Sequence, residues 1–211
     1  MKKLKKEYYF ISFLLMFLII LTILVIKGNI YGIDESFFNV VSSFKNDYLT
    51  KFLYVITTIA SSIGVIVLLI ITFIIFKKRQ VLSDFKYVFI NVFSGLLLML
   101  IFKNTIRRTR PVWIWIKESG FSYPSGHTIT AVMFYGTLML LIYKNVRGPK
   151  RYILITLFSM MIFLVGISRI YFGVHYLTDV IASTILGSIV IIISSLFMKK
   201  EKLNDKNKVR K

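Results

Sequence analysis

Three short polar clusters interrupt an otherwise apolar chain, and each lies at the end of a long apolar stretch. They are Lys103 through Arg110-Pro111, Pro124-Ser125-Gly126-His127, and Ser168-Arg169 followed by His175 and Asp179. Together they offer several cations, a helix-start Ser-Gly-His, and a second histidine followed four residues later by a carboxylate. Phosphoryl transfer needs cations that neutralise the phosphate oxygens and groups that attack or move protons. The clusters therefore indicate a metal-free phosphate-transfer site at a membrane surface.

The first cluster contains two cations, Lys103 and Arg110, that are seven residues apart. Seven residues make nearly two helical turns, so we expect both side chains on one helix face, with Pro111 ending the helix. The alternative is that they are basic residues extending to water at a membrane edge.

The second cluster opens an apolar stretch. Ser125 is suited to cap a helix, and Gly126 lets another group approach the backbone closely. The free N–H groups and the positive end of the helix dipole would then face an anion. An ordinary capped helix start is the alternative, but His127 lies just inside a membrane helix, where ionisable residues usually serve a function.

The third cluster places His175 and Asp179 four residues apart. This spacing puts both on one helix face, or lets Asp179 cap a helix start and reach back to the imidazole. A carboxylate bonded to one ring nitrogen fixes the tautomer and leaves the other nitrogen free to attack. The alternative is a structural His–Asp pair.

The elements that must position these clusters are six apolar stretches, each about long enough to cross a bilayer. Their approximate bounds are Tyr8–Ile26, Phe52–Phe76, Phe85–Phe102, Ser125–Tyr143, Tyr152–Ile170 and Asp179–Met198. A backbone in hydrocarbon must satisfy its own hydrogen bonds, so we expect helices. The first stretch is too long for a signal peptide and has no cleavage site after it, which favours an uncleaved helix. The sequence therefore predicts an all-α, polytopic membrane protein with six transmembrane helices in a bundle.

Basic residues predict the orientation of this bundle. With the N-terminus inside, nineteen of the 28 lysines and arginines lie on the cytoplasmic side. The positive-inside rule then places both termini in the cytoplasm and all three clusters on the outer face. Six of the nine outer cations fall in or beside the clusters. Polar clusters without a shared function would not be expected to lie on the same side of the membrane so consistently.

Composition limits the other possibilities. Hydrophobic residues make up 56% of the 211 residues, so the net charge of +19 is better explained by membrane orientation than by nucleic acid, and we expect no nucleic-acid partner. No cysteine is present, which excludes disulfides and thiolate metal sites. We expect one domain over residues 1–211, with a motif-bearing core at about 50–198 and a basic cytoplasmic tail at 199–211 that favours anionic lipid.

The first outer loop, at about 27–51, has apolar residues at helical spacing after Asp34-Glu35-Ser36. They are Phe37, Val41, Phe44 and Tyr48. We expect a short amphipathic helix in the membrane interface, and a gate for a lipid substrate is the alternative.

The three motifs resemble those of the type 2 phosphatidic acid phosphatase superfamily, the integral-membrane lipid phosphate phosphatases. That family has Lys, six residues, Arg-Pro; then Pro-Ser-Gly-His; then Ser-Arg, five residues, His, three residues, Asp. The chain matches at every motif position, from Lys103 to Asp179. A soluble branch, the vanadium haloperoxidases, shares the pattern, but the apolar helices argue against it. The resemblance implies a six-helix core, no metal and no cofactor.

The resemblance also implies a role for each motif residue. His175 is expected to be the nucleophile that forms a phosphohistidine, Asp179 to hold its ring, and His127 to act as acid and then as base. The phosphate-binding set is expected to be Lys103, Arg108, Arg110, Ser125, Gly126 and Arg169; Arg108 is included because relatives often carry Arg two positions before Arg-Pro.

The expected activity is hydrolysis of a lipid phosphate at the outer face of a bacterial cytoplasmic membrane. Phosphatidylglycerophosphate, phosphatidic acid and undecaprenyl diphosphate are candidate substrates. The alternatives are a lipid phosphotransferase, a phosphatase for a soluble ester, and an inactive relative that binds or transports lipid. Membrane lipids are the other expected partners, and no feature of the sequence indicates an oligomeric state.

Overall fold

The computed structural model describes the backbone of residues 2–209 and the side chains of residues 6–198. Its regular elements over this range are eight helices. They are α1 (Lys2–Ile26), α2 (Tyr31–Ser43), α3 (Asp47–Ile59), α4 (Ser62–Lys78), α5 (Leu82–Ile106), α6 (Gly126–Asn145), α7 (Pro149–Tyr171) and α8 (Leu177–Val209). The side chains of the tail predicted at 199–211 lie outside the described residues.

Five of these helices, α1, α5, α6, α7 and α8, are long and apolar enough to cross a membrane. Helices α3 and α4 pass the same test only as a pair, with a 61° bend between them, and form a sixth span if the pair crosses once. The prediction of an all-α polytopic membrane protein is confirmed.

The predicted span Phe52–Phe76 consists of two helices, because the helix breaks at Ala60 and Ser61. Ser61 caps α4, since its hydroxyl accepts a hydrogen bond of 3.2 Å from the N–H of Gly64. A Cβ atom at Gly64 would lie 2.3 Å from the carbonyl oxygen of Ile59, so only glycine lets the two helices meet this closely. The stretch is apolar on both sides of the break, so hydropathy does not reveal it. The local signal for the break is the Ser-Ser-x-Gly sequence.

Helix α6 lies at the centre of the bundle and packs against α5, α7 and α8. Two residues of α5 let it approach closely: the Asn91 amide donates a hydrogen bond of 3.1 Å to Thr137, and Gly95 leaves room for the side chain of Met133. The main apolar core surrounds α6 and draws side chains from α1, α3, α4, α5, α7 and α8. The ends of α5, α6, α7 and α8 are thereby fixed relative to one another.

The loop of residues 107–125 joins α5 to α6 at the end of the bundle that carries the three motifs. Helix α5 ends at Ile106, and Arg107 adopts a left-handed conformation with φ of 52°. The prediction that Lys103 and Arg110 share one helix face is therefore wrong. Lys103 lies in the last turn of α5, whereas Arg110 lies on the returning loop.

Helix α2 confirms the short helix predicted in the first outer loop, but a different face of it is buried. Asp34 and Phe38 are its buried residues, and Tyr48, predicted on the same helix, belongs to α3. Phe38 stacks on Trp113 with ring centroids 4.7 Å apart, and α2 packs against α7 and α8. The helix is therefore bound to the end of the bundle that holds the motifs.

Candidate active site

The three sequence motifs converge on one cavity of about 270 Å³ between α4, α5 and α6. Its polar end is lined by Lys103, Glu118, Gly126, His127 and His175. Its other end is lined by apolar side chains of α4, α5 and the α3–α4 bend: Ala60, Val65, Ile66, Leu69, Val92, Leu96 and Met99. Two imidazoles and a lysine thus share one space that continues among apolar side chains.

His175 and Asp179 form a buried pair at the start of α8. His175 precedes the helix, and its Nδ1 lies 3.3 Å from Oδ2 of Asp179. The same Oδ2 accepts a hydrogen bond of 3.0 Å from the backbone N–H of Tyr176, and Ser122 also donates to it. Asp179 therefore caps the helix and reaches back to the imidazole, the second of the two arrangements that the spacing allowed.

Burial determines the protonation of the His175 ring. Burial lowers the pKa of His175 to about 4, although the hydrogen bond to Asp179 opposes the shift. The imidazole is therefore neutral at neutral pH. With Nδ1–H facing a carboxylate, the lone pair is on Nε2.

Arg110 is held mainly by hydrogen bonds to backbone carbonyls. Its guanidinium donates to the carbonyl oxygens of Val174 at 2.8 Å, Ser119 at 2.8 Å and Gly120 at 3.0 Å. Its Nη1 also lies 3.3 Å from Nε2 of His175. The cation is thus fixed beside the ring nitrogen that carries the lone pair.

Arg169 is a second fixed cation, and it is only 1% exposed. One end of its guanidinium donates to Thr57 of α3 at 2.5 Å, and the other end is paired with Glu118. Its Nε is buried without a hydrogen-bond partner among the described residues. A buried N–H donor without an acceptor is costly, so a ligand oxygen here would satisfy it.

The remaining predicted phosphate ligands lie at the ends of α5 and α6. Lys103 donates one hydrogen bond of 2.7 Å to the carbonyl oxygen of Phe121, which leaves ammonium protons for another acceptor. Ser125 is fully buried and is the N-cap of α6, with its hydroxyl 2.9 Å from Oγ1 of Thr128. Gly126 is the first residue of α6.

Glu118 is a site residue that sequence reasoning missed. Its carboxylate is paired with Arg169 and lies 3.9 Å from Arg110. Burial alone would raise the pKa of Glu118, but the neighbouring cations, led by Arg169, outweigh burial and hold that pKa below its usual value. An anion therefore already lies among the cations. No motif position marks Glu118, and its place on an irregular loop gave no periodic signal.

Like Arg110, Arg169 and Ser125, the predicted phosphate ligand Arg108 does not line the cavity. Its Nη2 lies 2.6 Å from Asp34 and its Nη1 lies 2.6 Å from Asp179. The guanidinium carbon also lies 3.8 Å from the centre of the Tyr176 ring. Two carboxylates therefore occupy its Nη donors, and phosphate binding by Arg108 stays a prediction.

The starts of α6 and α8 are joined through their backbones. The hydroxyl of Ser183 lies 3.0 Å from the carbonyl oxygen of Ser125 and 2.7 Å from that of Asp179. The N–H of Ser125 also donates to the carbonyl oxygen of Asp179 at 3.3 Å. This connection fixes the helix start that carries His127 against the one that carries Asp179.

The chain is similar to known proteins in both sequence and fold. The sequence model of the PAP2 superfamily matches residues 84–203, which is more than half of the chain. A protein of Bacillus subtilis described as phosphatidylglycerophosphatase B is 25% identical over 202 residues, covering 90% of this chain and 95% of the relative. A protein of Haemophilus influenzae with the same description is 32% identical over 98 residues, covering 43% of this chain and 39% of the relative.

Two solved structures have the same fold. The crystal structure of a transmembrane PAP2-type phosphatidylglycerolphosphate phosphatase from Bacillus subtilis matches with a TM-score of 0.82 and 26% identity, over 90% of this chain and 96% of that one. The crystal structure of Aquifex aeolicus LpxE matches with a TM-score of 0.63 and 23% identity, over 77% and 94% of the two chains. With three intact motifs, a matching family model and a matching transmembrane fold, the chain belongs to the PAP2 superfamily, the type 2 phosphatidic acid phosphatases, as a multi-pass membrane member.

Proposed function

We propose that the protein is a membrane lipid phosphatase that hydrolyses a phosphate ester or diphosphate through a phosphohistidine at His175. One observation carries this proposal: His175 and His127 line a single cavity together with Lys103. A nucleophile, a proton donor and a cation are the groups that metal-free phosphoryl transfer needs in one place.

His175 is the proposed nucleophile because its Nε2 carries the lone pair. Nε2 attacks phosphorus, an N–P bond forms, and the bond to the leaving oxygen breaks. His127 gives its proton to that oxygen as the lipid product leaves. Asp179 balances the positive charge that develops on the phosphorylated ring. Water then attacks phosphorus, His127 accepts the proton, and inorganic phosphate leaves as the N–P bond breaks.

The proposed phosphate ligands are Lys103, Arg110, Arg169, Ser125 and Gly126. The pairing of Glu118 with Arg169 supports an anion site, because one oxyanion is already held by a cation that a phosphate would use. Three fixed cations can neutralise the charge on the equatorial oxygens, so we propose a reaction that needs no metal. Removing one such donor is expected to cost about 10²–10³ in rate.

A lipid substrate is supported by the shape of the cavity. Its apolar end is formed by α4 and α5, and Ile66, one of the lining residues, is 56% exposed on the surface of the bundle. An acyl or prenyl chain could lie along Ile66 and Leu69 while the phosphate reaches the histidines. A soluble ester would leave this apolar wall uncovered.

Phosphatidylglycerophosphate is the proposed first substrate, because both curated relatives are described as phosphatidylglycerophosphatases. Phosphatidic acid and undecaprenyl diphosphate remain to be compared with it. The excess of Lys and Arg at the opposite end of the bundle supports cytoplasmic termini and an outward-facing site.

The experiment that tests this function measures phosphate release from these three lipids in detergent, with water as the sole acceptor. The purified protein should release phosphate from at least one of them, and His175→Ala should release none. Brief reaction with ³²P-labelled substrate should label the protein with an acid-labile phosphate that His175→Ala lacks. Normal turnover of every lipid by His175→Ala would refute the mechanism. Label transfer to an added lipid alcohol without phosphate release would instead identify a phosphotransferase.

Two variants separate the roles of the charged groups. Lys103→Ala should lower turnover about 10²–10³-fold, whereas Lys77→Ala, at the opposite end of the bundle, should not change it. His127→Ala should lose less activity on a substrate with an acidic leaving group, such as p-nitrophenyl phosphate, because that group departs without a proton.

A further inference from the structure

Asp34 is a buried carboxylate that lies far from the three motifs in sequence. It belongs to α2, before the region that matches the family model. Its side chain is completely buried, and both of its oxygens accept hydrogen bonds. Oδ1 accepts from the N–H of Thr178 at 2.9 Å, and Oδ2 accepts from the Thr178 hydroxyl at 2.8 Å. Burying a carboxylate is expensive unless it is paired, so this placement calls for a specific partner.

That partner is Arg108, which connects Asp34 to the histidine pair. Nη2 of Arg108 donates to Asp34 and Nη1 donates to Asp179, both at 2.6 Å. Nη1 also donates to the Thr178 hydroxyl at 2.7 Å, and the guanidinium covers the Tyr176 ring. The rigid fork of an arginine therefore joins two carboxylates from helices α2 and α8.

Asp179 is oriented as a result. Its Oδ1 bonds to Arg108, and its Oδ2 is left for Ser122, the Tyr176 N–H and the His175 ring. A rotation of this carboxylate would break the bond to Arg108, so the guanidinium fixes which oxygen faces the imidazole. Without Asp34, the positive charge of Arg108 would act on Asp179 alone. The Asp179 carboxylate would then attract the Nδ1 proton of His175 less strongly.

We propose, given the phosphohistidine reaction proposed above, that Asp34 is a positioning residue of the active site. With Asp179 it holds Arg108 outside the phosphate cavity and keeps Asp179 turned towards His175. Arg108 is accordingly a positioning residue and not a phosphate ligand. Helix α2, which the sequence indicated only as an interfacial helix or a gate, thereby becomes part of the catalytic apparatus.

The test compares Asp34→Asn with Glu35→Gln, which removes an exposed carboxylate one residue away on the same helix. Asp34→Asn keeps the side-chain shape and removes the charge. We expect kcat to fall at least tenfold, because the positive charge on the phosphorylated ring is less well balanced. Inhibition by orthovanadate, a phosphate analogue expected to bind in the phosphate cavity, should change less than twofold. Glu35→Gln should resemble the unaltered protein in both measurements.

The pH dependence supplies a readout that a purely structural role would not move. The charged and titratable groups around His175 are Lys103 of α5, Arg110 and Glu118 of the loop, His127 of α6, Arg169 of α7 and Asp179 of α8. None of them changes in Asp34→Asn. Loss of a nearby negative charge makes the imidazole harder to protonate, so the acid limb of kcat should move to lower pH by about half a unit or more.

Three outcomes would overturn the role of Asp34: an unchanged kcat, a loss of vanadate affinity that parallels the loss of kcat, or a lower kcat with an unmoved acid limb. If Asp34→Asn does not fold, Arg108→Lys tests the same connection through kcat and vanadate inhibition, because lysine keeps the charge but lacks the planar fork that orients the two carboxylates. Failure of the proposed function is separately visible, since His175→Ala would then keep its turnover. An inactive His175→Ala with a fully active Asp34→Asn would refute only the positioning role.

Discussion

Nη1 of Arg110 lies 3.3 Å from Nε2 of His175. Arginine can only donate, so the imidazole nitrogen that faces it must be the acceptor, and the ring proton is on Nδ1, towards Asp179. The lone pair of the proposed nucleophile and a fixed cation are therefore neighbours before any substrate arrives. A phosphate within reach of Nε2 would also be within reach of Arg110.

Arg110→Lys should separate the charge of Arg110 from its geometry. Lysine keeps the positive charge but lacks the planar fork whose separate N–H groups reach the carbonyl oxygens of Val174, Ser119 and Gly120. We expect kcat/KM for the lipid phosphate to fall about 10–100-fold. The control is Arg107→Lys, which alters an exposed arginine in the same loop and should have no effect. Equal activity of the two variants would show that charge alone suffices.

The protonation of His175 can be measured directly, because the chain has two histidines and His127→Ala leaves His175 alone. NMR of ¹⁵N-histidine-labelled His127→Ala, purified without a histidine tag, should show a neutral ring with Nδ1–H at pH 7. The pKa should lie near 4 because the ring is buried. An imidazole that titrates near 6.5, the ordinary value, would contradict the buried, neutral nucleophile.

The same pKa shift has a consequence for stability. The pKa of His175 is lower in the folded protein than in the unfolded chain, so the unfolded chain binds a proton first as the pH falls. The contribution of the neutral ring to stability is present above about pH 6.5 and is lost as the pH falls towards 4. In His175→Ala, stability should fall less between these two pH values.

Glu118→Gln should strengthen binding of small oxyanions. The carboxylate of Glu118 occupies Arg169 and lies near Arg110, so a phosphate must compete with it. Removing its charge should lower the inhibition constant for orthovanadate about tenfold, and slower release of phosphate should lower kcat. Weaker vanadate inhibition would instead mean that Glu118 positions the arginines. Glu35→Gln is again the matched control.

Removal of metal ions should leave the activity intact. Within the described residues, no three His, Asp or Glu side chains form a group suited to a metal ion. Lys103, Arg110 and Arg169 are the cations proposed to bind the phosphate. Phosphate release in EDTA should therefore equal release in Mg²⁺. Loss of activity in EDTA that Mg²⁺ restores would require a revised mechanism.

Gly173→Ala should destabilise the protein at the turn before His175. Gly173 has φ of +66°, and a Cβ atom there would lie 2.2 Å from the carbonyl oxygen of Trp113. We expect a loss of about 2–4 kcal/mol, from backbone strain and displacement of the loop. Gly148→Ala is the matched control, since Gly148 has φ of +74° but nothing within 4 Å of its Cβ position. Thermal unfolding in detergent should rank Gly173→Ala well below Gly148→Ala.

The sequence was sufficient to predict the convergence of the motifs, and the reason is topological. Lys103, Ser125 and Asp179 all lie at or near the ends of apolar helices, and alternating crossings bring those ends to one side of the bundle. The capping role of Ser125 also followed from its position before the helix. These features depend on local chemistry and on helix length, which a sequence displays.

Other features depend on contacts between distant residues, which spacing does not show. Arg108 has the residue type of a phosphate ligand, but its guanidinium is paired with Asp34, which lies more than seventy residues earlier in the chain. Glu118 lies on an irregular loop without a hydrophobic period. Arg110 was placed on a helix because the left-handed turn at Arg107 has no strong sequence signal.

The connection through Ser183 separates the part of the structure proposed to carry out the chemical step from the parts that would admit substrate and release product. Because the starts of α6 and α8 are bonded to each other, the proposed proton donor and the proposed nucleophile belong to one rigid part. For the proposed reaction, we expect a headgroup to enter and phosphate to leave through the parts outside this connection, the loop that carries Glu118 and the bent pair α3–α4. Substitutions in those parts can change which lipids are accepted without altering the distance over which the proton moves. The range of substrates can therefore change during evolution while the geometry of proton transfer stays the same.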